Sequence, residues 1–420
     1  MREAIHIIGG GTVFHVRPHL ALSAPAYGWT AREISRLCNE GSVRDRVSGL
    51  TDKSAPAYRD VHLHLTRMAG GGECETNEDV RKLLAHLIED PRTKMIYLPA
   101  ALCDFEGAIF GDGGRTPSGK DQPRLSSQTA PTIGLSPAEK LIGMIRKTRK
   151  DIFLVGFKTT AGATEDEQYL AGLTLLKTTS CNLVFANDLH NKRCMIVAPE
   201  LARYSITTDR RAALLELVQM ADARSRLSFL RTTVKQGNLI PWDSDRVPPA
   251  LRTVVDWCAE HGAYKPFRDV TVGHFAFCEA PGVLISSRRK QNYNRRECRD
   301  LVRVEFLGDE MFAYGAKPSA GTRSQYAVLS KFPENDCIVH FHCPLLPGSK
   351  IVVRSQKDLE CGSHECGENT WKGMMRFGNL AAVMLDQHGP NIIFHRTIDP
   401  NEVIEFIGLN FDLSKRSDGI

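Results

Sequence analysis

The sequence predicts an α/β protein of two domains, a first, 1–235, built on a mostly parallel sheet with helices on both faces, and a second, 236–420, of α+β pattern. Three observations carry this. At 420 residues the chain is longer than one hydrophobic core organises, which favours two domains of roughly 200 residues each. Strand-like and helix-like periodicities alternate through the first half, the mark of strands covered on both faces. The stretch "QGNLIPWDSDRVPP", with turn residues and three prolines, then interrupts the pattern near residue 236.

In the first half "IHII", "DVHLHL", "MIYLPAA", "DIFLVGFK" and "NLVFAND" read as strands. Between them "NEDVRKLLAHLIED" and "SPAEKLIGMIRKTRK" place apolar residues at helical spacing, with Asn77 and Ser136 as expected N-caps. The run from 111 to 134 is rich in Gly, Ser, Thr and Pro and reads as a long mobile loop, placed as a lid over a site. A helix is expected from about Asp209 to Lys235. Beyond the boundary "ALRTVVDWCAEHG" reads as a helix ended by Gly262. Short strands follow: "HFAFCEA", "GVLISS", "LVRVEFLG", "EMFAYG" and "CIVHFH". A helix-like "NTWKGMMRFGN" and a strand "LAAVMLDQHG" complete the pattern.

Composition excludes several classes. No run of about 18 apolar residues exists and the N-terminus lacks the long apolar core of a signal peptide, so a cytoplasmic protein with no membrane partner is expected. Twelve cysteines scattered through a long chain suit reduced thiols better than a disulfide framework. A net charge of +5, with acids and bases mixed, does not imply a nucleic-acid partner. The basic segment 286–303 carries seven basic residues against two acidic ones and reads as a solvated face, with phosphate binding the second reading.

Two motifs carry chemistry. "HIIGGGT" sets Gly9, Gly10 and Gly11 directly after a buried strand, where backbone can approach a phosphate at the end of a parallel sheet. Later strands end on Asp104, on Gly156 and on the pair Asn187 and Asp188, at the sheet edge where open α/β folds bind ligands. In "NDCIVHFHCPLLPG", His340 and His342 are two residues apart on a strand and so face one side. His388, in "VMLDQHGPNIIF", is a third imidazole; three of them with an open position suit a catalytic divalent metal, zinc being the expected ion.

The first-half segments, about residues 1–206, resemble the phosphopantothenoylcysteine synthetase family, ligases of coenzyme A biosynthesis that activate a carboxylate with a nucleotide triphosphate and join it to an amine. The resemblance is carried by Gly9 to Thr12, by Pro99 to Asp104, by Val155 to Phe157 and by Ala186 to Asp188. It implies a Rossmann-like domain with ATP or CTP, and Mg²⁺, at Gly9, Gly10, Gly11, Thr12, Ala101, Asp104, Phe157, Asn187 and Asp188, with Asn187 against the activated acyl-nucleotide. "KPSAGTRSQYAVLSKFPENDCIVHFH" with "DQHGP", within about residues 246–412, resembles the class II aldolase and adducin family. That resemblance implies a class II aldolase-like domain in which His340, His342 and His388 bind a divalent cation that polarises a carbonyl and stabilises an enediolate.

In these aldolases a Glu follows the "KPS" turn as proton carrier; here Gly321 stands there, and the family's "GN.S" element looks like Gly273 to Ala276. "DLECGSHECGENT" offers a replacement, with Glu360 or Glu365 as the missing carboxylate, or Cys361 and Cys366 as soft ligands. The expectation is a bifunctional enzyme of small, phosphorylated carbonyl or hydroxy-acid compounds, assembled as a homo-oligomer. The alternative is an adducin-like, non-catalytic scaffold with degenerate sites.

Overall fold

The structure, a computed structural model, describes residues 3–40, 59–72, 74–111, 114–128 and 130–418. The chain divides into two compact units, Met1–Ala198 with Tyr204–Ser225, and Pro199–Arg203 with Arg226–Ile420.

The first unit is built on a seven-stranded sheet in the order Arg203–Thr207, Cys194–Val197, Leu183–Asp188, Phe153–Thr160, Thr93–Tyr97, Ala4–Gly9, Asp60–Leu65. The pairings from Leu183–Asp188 to Asp60–Leu65 are parallel, while Cys194–Val197 runs antiparallel to Leu183–Asp188. Ala4–Gly9 and Leu183–Asp188 are buried along their whole length, as strands covered on both faces must be.

Helix Asn77–Glu89 is capped by Thr76 rather than Asn77. Thr76 and Asp79 form a reciprocal capping box, which moves the start one residue upstream and frees the Asn77 side chain for other work. Ser136 caps nothing; it lies in the strand Thr132–Pro137, and the helix that follows spans only Ile142–Thr148.

The segment read as a long loop contributes strands instead. Phe105–Gly111, Gly114–Thr116 and Thr132–Pro137 make a three-stranded antiparallel sheet with Ile109 opposite Ile133. Its glycine content hid the strand, yet Gly134 is needed there because a Cβ would meet Phe110 Cε2 at 2.4 Å. The long helix expected to Lys235 stops at Ser225, and Arg231–Lys235 is a strand parallel to Glu310–Tyr314. The β-branched run Thr232–Val234 favours extended backbone over helix.

The second unit carries a mainly antiparallel ten-stranded sheet. At its centre His274–Ala280, Cys337–His340, Gly389–Phe394 and Leu380–Leu385 are consecutive antiparallel neighbours. Helix Pro249–Glu260 lays Leu251, Val254, Val255 and Cys258 into a core shared with Phe275, Val339 and Ile392, and Gly262 follows it at φ 75°. The helix expected within 369–379 starts earlier, spanning His364–Gly373 behind Ser363, whose hydroxyl accepts from Cys366 N. After it Met375–Phe377 turns back as a strand on Leu380–Leu385.

Candidate functional site

In the second unit His340 is the last residue of strand Cys337–His340, and His342 follows two positions on, so both imidazoles face one side. His388 sits on the tight turn before Gly389–Phe394. Gly389 is required there: a Cβ would meet the Phe341 carbonyl oxygen at 1.9 Å, so only glycine lets the His388 turn close onto His342. The ligand atoms of the three histidines lie within 4.8 Å of one another, and all three residues are buried.

The His340 Nδ1–H donates to the Pro390 carbonyl at 2.7 Å, which places the ring's lone pair on Nε2. That Nε2 is buried with no hydrogen-bond partner. Burial pushes His340 down to about 4, against the Pro390 bond, so the ring is neutral at pH 7. An oriented neutral imidazole with an orphaned nitrogen among two others fits a divalent cation and is otherwise a costly arrangement.

The residues proposed to replace the carboxylate do not join this cluster. Among the described residues the convergent set of ligand-type side chains holds the three histidines alone. Glu365 accepts from the Ser228 amide at 3.0 and 3.2 Å, and Glu360 is half-buried close to the Cys361 thiol. Cys361 donates to Cys366, which raises the first thiol and lowers the second. The basic segment is partly structural: Arg299 is buried, ion-paired with Asp256 and bonded to Tyr293 O, and Arg288 donates to Asp300 O.

In the first unit the glycines serve close packing. Gly10 has φ +105° with a Cβ position 2.1 Å from Thr66 Oγ1, and Gly11 lies against the Ala24 carbonyl. Ala101 N donates to Gly10 O and Thr12 N to Ala101 O, so this pair is one backbone clasp. Thr12 is fully buried; its hydroxyl donates to Asn77 Oδ1 at 2.6 Å and accepts from Cys103 N at 2.8 Å. Asp188 accepts from the amides of Gly162, Ala163, His190 and Asn191 and from Thr160 Oγ1. Burial works to raise its carboxyl, but these donors hold it well below the usual range. Asn187 is buried, with Thr159 Oγ1 donating to it at 3.4 Å, and Asp104 pairs with Lys140 on the surface.

Beside Gly10 a cavity of about 280 Å³ is lined by Ala26, Gly28, Trp29, Pro99 and Arg210, at the N-terminus of helix Trp29–Asn39. The Arg210 guanidinium lies 5.9 Å from the Trp29 ring and 5.7 Å from Phe185, and donates to Thr30 Oγ1 at 2.8 Å. Phe185 in turn meets Phe157 with centroids 5.7 Å apart. Arg210 and Trp29 escaped the sequence reading because each begins a helix that carries no anion-binding motif of its own; only the fold brings them to Gly10.

The two halves resemble different enzyme families. No family model matches the chain. Over 117 residues the chain is 26% identical to the coenzyme A biosynthesis bifunctional protein CoaBC of Thermococcus kodakarensis; the match spans 28% of this chain and about a quarter, 27%, of that protein. Among solved structures, the DNA/pantothenate metabolism flavoprotein of Streptococcus pneumoniae covers 52% of this chain and 98% of its own, at 18% identity and TM-score 0.41. An L-fuculose 1-phosphate aldolase covers 39% of this chain and 85% of its own, at 13% identity and TM-score 0.30. YgbL of Escherichia coli, described as an aldolase/epimerase/decarboxylase, covers 37% and 83%, at 14% identity and TM-score 0.28. The chain is therefore similar both to proteins of coenzyme A biosynthesis and to class II aldolase-like proteins. Among the described residues no helix is long and apolar enough to cross a membrane.

Proposed function

We propose that the chain is a metabolic enzyme that joins a divalent-metal-dependent aldolase- or lyase-like unit to a nucleotide-dependent carboxylate–amine ligase-like unit. The observation that carries the reading is the convergence of His340, His342 and His388 around the unpartnered Nε2 of His340. These three histidines would hold the ion, with zinc the expected choice for an all-imidazole set. When bound, such an ion supplies Lewis acidity toward a carbonyl or carboxylate oxygen. The chain's own part is to fix the ring orientations, through Pro390 O for His340, and to keep the cluster buried. The substrate is a small, phosphorylated carbonyl or hydroxy-acid compound.

In the first unit the reading places the nucleotide in the cavity at Gly10, with Arg210 and the amides at the start of helix Trp29–Asn39 facing its phosphates. Asn187 then serves the acyl-nucleotide, while Thr12 and Asp188 shape the loops that hold the site. CTP or ATP with Mg²⁺ is the co-substrate. A cytoplasmic homo-oligomer is the expected state, and the two units serve linked steps.

One observation favours a second reading, a non-catalytic scaffold: glycine stands at 321, where the resembled aldolases carry their proton-carrying carboxylate. Metal content by mass spectrometry separates the two. About one divalent ion per wild-type chain, lost in His340→Ala and His388→Ala, supports the enzyme. A wild type that stays metal-free after incubation with Zn²⁺, Mn²⁺ or Co²⁺ rules the metal centre out.

A further inference from the structure

A fourth imidazole adjoins the cluster. Strand register sets His274 directly opposite His340, and the rings stack with centroids 4.4 Å apart and planes 25° apart. His274 is 7% exposed, and its Nδ1 meets the side-chain amide nitrogen of Gln325, itself 1% exposed. The amide N–H donates to Nδ1, so the imidazole proton sits on Nε2. Its one N–H is therefore a donor.

That donor stands at a telling place. A Cβ built on Gly321 would meet His274 Nε2 at 2.2 Å and the Cδ2 and Cε1 carbons at 2.8 Å. The volume that a side chain at 321 needs is filled by a ring from strand His274–Ala280. The position is the one at which the resembled aldolases carry a carboxylate; here the His274 ring takes that volume and leaves room for no side chain. A carboxylate accepts hydrogen bonds and adds negative charge, whereas an imidazole Nε2–H donates and adds no negative charge. With no carboxylate in the convergent set among the described residues, a divalent ion there keeps both its positive charges uncompensated. Such a centre selects ligands that bring their own anionic oxygens.

Resting on the metal reading above, we propose that His274 is the ligand-facing residue of the second unit, donating from Nε2 to an anionic oxygen of a small hydroxy- or oxo-acid held at the histidine cluster. Gln325 is its positioning residue, fixing the tautomer. The substrate is thereby a carboxylate-bearing chelator rather than a simple aldehyde.

The test uses the full chain loaded with Co²⁺, titrated with oxalate and followed by visible absorption, with metal counted by mass spectrometry. Wild type binds oxalate saturably. His274→Phe keeps a ring against His340 but has no donor, and it retains about one Co²⁺ while weakening oxalate tenfold or more. Gln325→Glu accepts a hydrogen bond from Nδ1–H, turns Nε2 into an acceptor and gives the same loss with Co²⁺ retained. Unchanged oxalate affinity in His274→Phe overturns the proposal, as does loss of Co²⁺ in that variant, which would make His274 a ligand. Cobalt-loaded wild type that ignores oxalate also overturns it. Wild type that takes up no Co²⁺ overturns the metal reading itself, and the proposal with it.

Discussion

His340 Nδ1–H donates to Pro390 O at 2.7 Å across two paired strands, and this one bond aims Nε2 at His342 and His388. An orphaned buried nitrogen is destabilising, and an ion held there would relieve it. Zinc at about a thousand times its dissociation constant should add about 4 kcal/mol of stability. Thermal melts with and without Zn²⁺ read this as a raised Tm that a chelator reverses. In His340→Ala the response should vanish; a zinc shift that survives there would place the ion elsewhere.

The cavity at Gly10 predicts a separate effect in the first unit. Arg210→Gln removes the cation facing that cavity while leaving the Trp29 and Phe185 rings in place, so CTP or ATP binding should weaken about tenfold, near 1.4 kcal/mol. Calorimetric titration with Mg²⁺ present gives the answer, and equal affinity would move the nucleotide away from this cavity.

His6 predicts a pH dependence. Its ring stacks on His62 with centroids 5.0 Å apart and meets His64 Nε2 at 3.1 Å; burial first, then His64 and His62, push it down to about 4. In the unfolded chain the ring titrates near 6.5, so between 6.5 and 4 the unfolded state binds the extra proton. Stability is therefore complete above pH 6.5 and falls as pH drops toward 4, by on the order of 3 kcal/mol. Denaturant melts of wild type and His6→Phe across that window should differ in slope; parallel curves would contradict the assignment.

What was legible in the sequence follows from locality. Ala4–Gly9 and Leu183–Asp188 are buried on both faces, so they read as mostly apolar runs without strict alternation. His340 and His342 were legible together because a strand's period of two is local. His274 was not, since its place beside His340 is set by pairing between strands far apart in the chain. Arg210 reached Gly10 the same way, through folding of a helix with no anion motif of its own. Thr132–Pro137 hid behind glycine and proline, whose turn chemistry outweighs a short strand signal in any local reading. The capping error was a single residue, Thr76 for Asn77, because both types cap well and only the reciprocal Asp79 bond decides between them.

The contact between Gly321 and His274 makes the sharpest stability prediction. Gly321→Ala puts a methyl 2.2 Å from Nε2 of a ring that cannot retreat, being held by Gln325 and stacked on His340. Overpacking of that kind costs about 1–3 kcal/mol. Gly321 sits just before helix Thr322–Leu329 at φ −78°, which alanine adopts freely, so no backbone strain adds to the loss. His274→Ala alone removes the stacked ring and is also destabilising. In the double variant the alanine methyl occupies space the ring has left, so its penalty should disappear and the two changes should couple by 1 kcal/mol or more, about the range seen for residues in contact. Denaturant unfolding of the four proteins measures this directly. If the penalties simply add, the ring and the glycine are independent, and the exclusion of a side chain at 321 by the His274 ring loses its physical basis.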